Sequence, residues 1–262
     1  MNFYFLPRLD GFETAVTLAN FPPVGDVEGD TQVAHLAWSD GDAWHLHVLD
    51  EVPLGTVKSY SSASLPADVP AGETCFFFLY PRALRGAQAA LPADPIMETA
   101  PAWRGNIQIR SPHTSTSYQG EYPAAMLKLK KASLVSLSPM VQRGEGVRMY
   151  FLLANMLESP EKKRGTIRFA GFRERKVLFE GALTTNSVSV VDISELAAKV
   201  DEPLCSVSDS MTGVPIYFSH DRDKRQLSLE HTHPPDEMFV FSPNSRDLVK
   251  GMKSWWLDAL RP

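Results

Sequence analysis

The dominant pattern along the chain is alternation of apolar and polar residues over runs of about five to nine positions. In VRMYFLLA, Met149, Phe151 and Leu153 fall on one face of a strand, because successive strand side chains point to opposite faces. In SVSVV the same alternation predicts that Val188 and Val190 face inward. Similar runs bounded by Gly, Pro, Asn, Asp or Ser lie at 13–21, 31–39, 43–51, 55–61, 74–80, 106–111, 124–137, 147–156, 165–172, 175–183, 186–193, 214–220, 224–231 and 237–243. Short strands joined by turns predict an all-β chain built from antiparallel β-sandwiches.

Only a few segments have a helical period. ISELAAKV, at 193–200, predicts a short helix with Ser194 as its N-cap. The segment 245–262 predicts an amphipathic helix with Ser245 as N-cap, because its apolar residues follow helical spacing: Leu248, Met252, Trp255, Trp256 and Leu260. The segment 83–95 allows one or two helical turns before its prolines.

An internal repeat organises the chain. VTLANFPP (16–23) resembles FLLANMLESP (151–160), and each is followed by a pair of strands. NIQIRSPHTSTSYQGEYP (106–123) parallels VPIYFSHDRDKRQLSLEHTHPP (214–235) in its strand, polar turn, strand and proline. We therefore predict two tandem related sandwich modules, at 1–123 and 124–244, and a short C-terminal amphipathic helix at 245–262.

Composition narrows the classes of function. The chain has 262 residues, a net charge of −5 and a pI of about 5.8, which argues against nucleic-acid binding, since neutralising phosphates needs a basic surface. No apolar run approaches the roughly 20 residues that span a bilayer. The N-terminus has no basic region followed by a long apolar stretch, so we expect a cytoplasmic protein. Cys75 and Cys205 then predict reduced core thiols.

The second half resembles a known family over residues 145–233. The residues that carry the likeness are VRMYFLLANM, GTIRFAGFRERKVLFEGALTTNSVSVVDI and VPIYFSHDRDKRQ, and the family is the sensory rhodopsin transducers. The resemblance implies a small antiparallel β-sandwich that assembles as oligomers and serves binding rather than catalysis. The chain departs from this family in its duplication, its HTHPPDE segment and its Trp-rich tail.

The segment HTHPPDE allows a metal site. His231 and His233 alternate on a strand and Glu237 follows, a spacing that resembles the start of the cupin metal motif. These residues would bind a divalent metal such as Zn, Mn or Fe, with His220 as a further ligand, in a metal-dependent enzyme. No histidine follows His233, although a cupin requires one, so this stays the alternative. His45-Leu-His47, with His35 on the preceding strand, has a similar spacing, and we interpret it as a half-solvated strand face.

Polar turns predict a binding surface. An Arg, Asp, His and aromatic set suits a polyol or glycan, because planar polar groups and aromatic faces bind sugars. The predicted ligand-binding residues occupy the corresponding turns of the two repeats: His113, Tyr118, His220, Arg222, Asp223, His231 and His233. We predict that His113 and His220 occupy similar places in the two copies.

The chain lacks the common nucleophile and phosphate motifs. It contains no G-x-S-x-G, no G-x-x-x-x-G-K-[ST], no G-x-G-x-x-G and no H-E-x-x-H. The sequence therefore predicts a non-catalytic binding or assembly protein with no cofactor. Its expected partners are a small polar ligand or glycan, or another protein, and a homo-oligomer is possible.

Overall fold

The computed structural model describes residues 2–21, 31–92, 105–119, 122–128, 133–138, 144–222, 225–231, 251 and 254–260. Short strands dominate these residues, as the alternation predicts. They are β1 (Asn2–Leu6), β2 (Glu13–Asn20), β3 (Gln32–Ser39), β4 (Trp44–Val52), β5 (Thr56–Ser61), β6 (Cys75–Tyr80), β7 (Gly86–Gln88), β8 (Asn106–Arg110), β9 (Ser115–Gln119), β10 (Tyr122–Pro123), β11 (Leu134–Ser138), β12 (Val147–Asn155), β13 (Arg164–Gly171), β14 (Val177–Thr184), β15 (Ser187–Asp192), β16 (Leu204–Ser208), β17 (Val214–Asp221) and β18 (Gln226–His231).

The helical elements are short. Two 3₁₀ segments occupy Ser62–Ser64 and Ala124–Lys128, and the α-helix α1 spans Ser194–Lys199. Residues 251 and 254–259 are helical at the C-terminus. No helix in the described part of the chain is long and apolar enough to cross a membrane.

The strands pair into four antiparallel sheets. Their strand orders are β10-β1-β6-β3-β4-β7, β5-β2-β8-β9, β11-β16-β13-β14 and β15-β12-β17-β18. The prediction of an all-β, antiparallel chain is confirmed. The finer prediction of two tandem sandwich modules is not established by the pairing, which resolves the strands into separate small sheets.

Contacts divide the chain into two compact units. Unit 1 comprises Met1–Leu129, Met156–Lys163 and Thr185–Val188, and unit 2 comprises Lys130–Asn155, Arg164–Thr184 and Ser189–Pro262. Unit 1 thus extends past residue 123 to Leu129 and also includes two later segments. Within unit 1, the Asn186 side chain accepts the Leu157 N–H at 2.7 Å and donates to the Ser159 carbonyl at 2.8 Å. These bonds tie the two segments to each other.

Strand order repeats between the units. The order β1-β6-β3-β4 matches β11-β16-β13-β14, and β5-β2-β8-β9 matches β15-β12-β17-β18. The sequence matches that predicted a repeat fall on corresponding strands: β2 with β12, the pair β3 and β4 with β13 and β14, and the pair β8 and β9 with β17 and β18. Strands β7 and β10 are additions at the two edges of the unit 1 sheet.

The repeat extends to single polar contacts. In each Leu-Ala-Asn triplet the buried Asn side chain donates to a backbone carbonyl: Asn20 to Val52 at 2.8 Å and Asn155 to Thr212 at 2.7 Å. A buried amide needs such a partner, because leaving it unpaired costs about 1–3 kcal/mol. This requirement explains why the triplet recurs.

A serine contact also recurs at the entrance of each central strand. The Thr14 N–H of β2 donates to the Ser62 hydroxyl at 3.1 Å, and the Met149 N–H of β12 donates to the Ser194 hydroxyl at 2.9 Å. Each serine is the first residue of the helix that follows β5 or β15. The predicted N-cap role of Ser194 is wrong: the N-cap is Ile193, and the Ser194 hydroxyl bonds to β12 instead.

The core of unit 2 draws apolar side chains from both of its sheets. Met149, Phe151 and Leu153 of β12 lie in one buried cluster with Phe169 of β13 and Tyr217 of β17, as their alternation predicts. In β15 the phase differs from the prediction. Val191 joins this cluster and Val188 is buried, but Val190 is 40% exposed.

The C-terminal helix packs on unit 2. Trp256 and Leu260 are buried in a second cluster with Val135, Cys205 and Val207. At the end of the helix, the Leu260 carbonyl accepts a hydrogen bond from Arg168 at 3.2 Å. Cys75 and Cys205 are both free and buried, as predicted.

Two predicted elements are corrected. The segment 83–95 contributes no helix within its described residues up to 92; instead Gly86–Gln88 forms β7 on the edge of β4. The strand predicted at 124–137 is a 3₁₀ segment followed by β11. Besides β7, three paired strands were not predicted: β1, β10 and β16.

Substitution of Gly213 tests the tight packing beside β12. A Cβ placed on Gly213 would overlap the backbone carbonyl oxygen of Ala154, which cannot move away as a side chain would. Gly213→Ala should therefore lower the free energy of unfolding by about 2 kcal/mol. Gly251→Ala is the matched control, because its Cβ meets no atom within 4 Å and alanine favours the helix. Thermal melts followed by circular dichroism compare the two variants, and equal melting temperatures would contradict this packing.

Candidate functional site

A cleft of about 600 Å³ in unit 1 is lined by a dense set of charged and ring side chains. The lining comes from the β3–β4 hairpin, the loop before β6 and the segment that enters β7. It comprises Trp38, Asp40, His45, Leu46, His47, Val48, Asp68, Pro70, Arg85 and Gly86.

His45 is held by two neighbours, Trp38 and Asp40. It pairs across the hairpin with Trp38, and the two rings stack with centroids 5.3 Å apart and an interplanar angle of 17°. Its Nε2 lies 2.6 Å from Asp40 Oδ2. Because an ionised carboxylate only accepts hydrogen bonds, Nε2 carries the proton, and Nδ1 of the neutral ring is left as an acceptor.

The Asp40 carboxylate accepts hydrogen bonds from this ring and from its own turn. Its Oδ1 accepts the N–H groups of Asp42 at 2.9 Å and Ala43 at 2.8 Å, which closes the hairpin turn. The hydrogen bond from His45, followed by these two backbone donors, lowers the pKa of Asp40 well below its ordinary value. Asp40 therefore positions His45.

His47 repeats the arrangement two residues along β4. Alternate strand residues share a face, so its ring opens to the same side as that of His45. Its Nδ1 lies 3.4 Å from Asp68 Oδ2, which comes from the loop before β6. The side chain of Asp68 is 60% exposed, so this second pair is held more loosely than the first.

Arg85 supplies a cation from the segment that enters β7, the neighbour of β4. Its guanidinium takes part in no ion pair with another residue that the structure describes, and the residue is exposed. Its backbone is held from within the sheet, because the neighbouring Leu84 N–H donates to Nε2 of the buried His35 at 2.9 Å. His35 stacks on Phe78 with ring centroids 4.9 Å apart. His35 is thus a positioning residue beneath the cleft.

The lining offers hydrogen-bond acceptors and donors. Two imidazole nitrogens accept hydrogen bonds, and the guanidinium donates up to five. The alternation in β4 predicts a half-solvated strand face at His45 and His47, and both are partly exposed. The structure adds the carboxylates of Asp40 and Asp68 and the guanidinium of Arg85.

The residues predicted for the first polar turn lie elsewhere in unit 1. His113 is exposed in the β8–β9 turn, and Tyr118 is half-buried on β9 opposite Ile107. A second cavity, of about 530 Å³, adjoins this turn and is lined by Gly11, Phe12, Glu13, Ser62, Ala63, Arg110, Ser111 and Pro112. Its lining is nearer to the predicted surface than the His45 cleft is.

The second polar turn belongs to unit 2. His220 is half-buried on β17, where burial followed by the nearby Arg222 lowers its pKa, and Arg222 is exposed. The backbone of His231 ends β18 opposite Ile216, and its side chain lies outside the described residues. Asp223, His233 and Glu237 also lie outside them.

Strand register corrects the predicted correspondence of His113 with His220. Glu13 pairs with Arg110 in unit 1 and Arg148 pairs with His220 in unit 2, and both pairs lie equally far from the repeated Ala-Asn. His220 therefore corresponds to Arg110, three residues before His113.

Nothing in the described residues assembles a metal site. No group of three or more His, Cys, Asp or Glu side chains among them is placed to hold an ion. His220 pairs with Leu227 and His231 with Ile216, so the two histidines lie four rows apart, about 13 Å along the sheet. The backbones of His220 and His231 are therefore not neighbours in the sheet.

Comparison with protein-family models, with curated proteins and with solved structures finds no match to this chain.

The contact between His35 and Leu84 predicts a pH dependence of stability. Burial, with a smaller effect of Arg85, lowers the pKa of His35 to about 4 from 6.5. Between these values the unfolded chain binds a proton at His35 and the folded chain does not, so stability should fall as the pH drops from 6.5 to 4, by up to about 3 kcal/mol. His35→Gln keeps an acceptor without this titration, so unfolding free energies at pH 4.5 and 7 should differ less in that variant. Equal differences in both proteins would contradict this role of His35.

Proposed function

We propose that the chain is a non-catalytic binding protein that takes a small polyhydroxylated ligand, a sugar or short glycan, in the His45 cleft of unit 1. The observation that carries the proposal is the pair of imidazoles, each beside an aspartate, facing the same cavity as Arg85. Sugar hydroxyls both donate and accept hydrogen bonds, which matches bare imidazole nitrogens next to a guanidinium.

Preorganisation supports a binding role. The Asp40 turn and the Trp38 ring hold His45 before any ligand arrives, and His35 anchors the backbone beside Arg85. A ligand then loses less free energy in ordering these side chains than it would at a mobile surface. The cavity of about 600 Å³ is within the usual range of small-molecule sites.

The predicted architecture is part of this proposal. Two related sandwich modules are supported by the repeated strand order and by the unit 2 cluster that takes side chains from both sheets. The resemblance to sensory rhodopsin transducers, a cytoplasmic location, a protein partner and a homo-oligomer remain predictions. The turn residues His113, Tyr118, His220 and Arg222 remain a predicted second surface.

Binding to a panel of neutral and acidic monosaccharides, measured by isothermal titration calorimetry, tests the cleft. Arg85→Met and His47→Ala should each weaken the binding of a sugar ligand by about tenfold or more, because each removes a hydrogen bond to ligand at an exposed side chain. His113→Ala and Arg222→Ala are matched controls at exposed turn positions and should bind normally.

Two outcomes of this experiment would count against the cleft. Loss of binding in the turn variants but not in the cleft variants would move the site to the predicted turn surface. A panel that shows no binding to the unmodified protein would reject sugar recognition altogether.

The alternative, a metal-dependent enzyme using His231, His233 and Glu237, has its own test. If the binding proposal holds, elemental analysis of gently purified protein should show no stoichiometric Zn, Mn or Fe, and adding these ions should not raise the melting temperature. Stoichiometric metal that is lost in His231→Ala would favour the enzyme.

A further inference from the structure

The charge balance of the His45 cleft depends on protons. Five lining residues carry or can carry charge: Asp40 in the hairpin turn, His45 and His47 on β4, Asp68 before β6, and Arg85 before β7. With both imidazoles neutral, one positive and two negative charges give the lining a net charge of −1. With both protonated, the net charge is +1, because each His–Asp pair is then neutral and Arg85 is left over.

Each aspartate has a histidine as its partner, so neither competes with a ligand for Arg85. Asp40 accepts hydrogen bonds from His45 and from the two N–H groups of its turn. Asp68 lies beside His47, so a protonated His47 forms an ion pair with this carboxylate. The guanidinium, which forms no ion pair within the described chain, then remains as the donor in the cleft.

From this geometry we infer that the cleft selects an acidic polyol, a sugar bearing one carboxylate or phosphate, and takes up protons on His45 and His47 when it binds. The anionic group lies against Arg85, whose fork donates two parallel hydrogen bonds to a carboxylate or phosphate. The hydroxyls contact the imidazoles. This inference rests on the proposed function, since it names the ligand class for the same cleft.

The thermodynamic linkage between proton binding and ligand binding determines how the ligand affinity changes with pH. A ligand that binds the protonated cleft more tightly must cause proton uptake on binding, so its affinity rises as the pH falls. His35 does not take part between pH 7.5 and 5.5, because burial holds its pKa at about 4. A neutral sugar gains little from the change in charge and should show a flat pH profile.

Calorimetry with matched ligands tests the inference. D-Glucuronate and D-glucose 6-phosphate are compared with D-glucose at pH 7.5 and 5.5, each in two buffers of different ionisation enthalpy. We expect the acidic sugars to bind about tenfold or more tightly at pH 5.5 than at pH 7.5 with net proton uptake, and D-glucose to bind weakly at both. Strengthening with only one of the two acidic sugars would identify the anionic group.

Histidine variants test which side chains take up the protons on ligand binding. His45→Gln and His47→Gln should each reduce the proton uptake and the pH dependence, whereas His220→Gln, a half-buried histidine of unit 2, should change neither. All variants are accepted only if their melting temperatures at pH 7.5 match that of the unmodified chain.

The outcomes separate this inference from the proposed function. Binding of D-glucose as tight as that of the acidic sugars, lost in Arg85→Met, would overturn the acidic-ligand inference and leave sugar binding in place. Acidic sugars that bind without proton uptake would also overturn it. No binding of any of these sugars at either pH would overturn both.

Discussion

Burial of both faces of the central strands is the constraint on which each unit depends. β12 has neighbours on both edges, and its residues from Phe151 to Asn155 are all buried, so the polar group at its end must find a partner inside the protein. Asn155 meets this need with the Thr212 carbonyl, and Asn20 does the same at the end of β2. The repeated triplet Leu-Ala-Asn thus marks the point where an apolar strand must stop without leaving an unpaired amide.

The repeat provides the scaffold, and additions to it provide the cleft. Strand β7 pairs with β4 in unit 1, whereas no described strand pairs with the outer edge of β14, which holds the same place in unit 2. Arg85 and Gly86 enter the cleft with β7. On β14 the exposed side chains include Leu178 and Phe179, where β4 presents histidines. One framework therefore carries a polar cleft in one unit and an apolar edge in the other.

Much of the fold was predictable because period-two alternation needs only local sequence. The bounds of β2, β3, β4, β12 and β17 lie within two residues of those predicted. Strand β16, Leu204–Ser208, was not predicted because its buried serines remove the apolar signal. The Ser206 hydroxyl finds its partners only in the folded chain, in the Tyr217 hydroxyl at 2.8 Å and the Ser136 carbonyl at 3.3 Å. The phase of β15 was ambiguous because two adjacent valines fit either face, and the partner strands decide between them.

The cleft was less predictable than the strands because its residues converge from separate segments. His45 and His47 show the alternation of one strand, and Asp40 belongs to the adjoining turn, so this part was visible in the sequence. Asp68 and Arg85 were not visible, since a loop and a three-residue edge strand bring them to the cleft.

The β3–β4 turn connects local structure with the cleft. The carboxylate that closes the β3–β4 turn also orients His45, so a residue chosen for local structure sets the hydrogen bonding of the ring. A change at Asp40 would therefore alter the hairpin and the cleft together, whereas a change at Asp68 or Arg85 would alter the cleft alone.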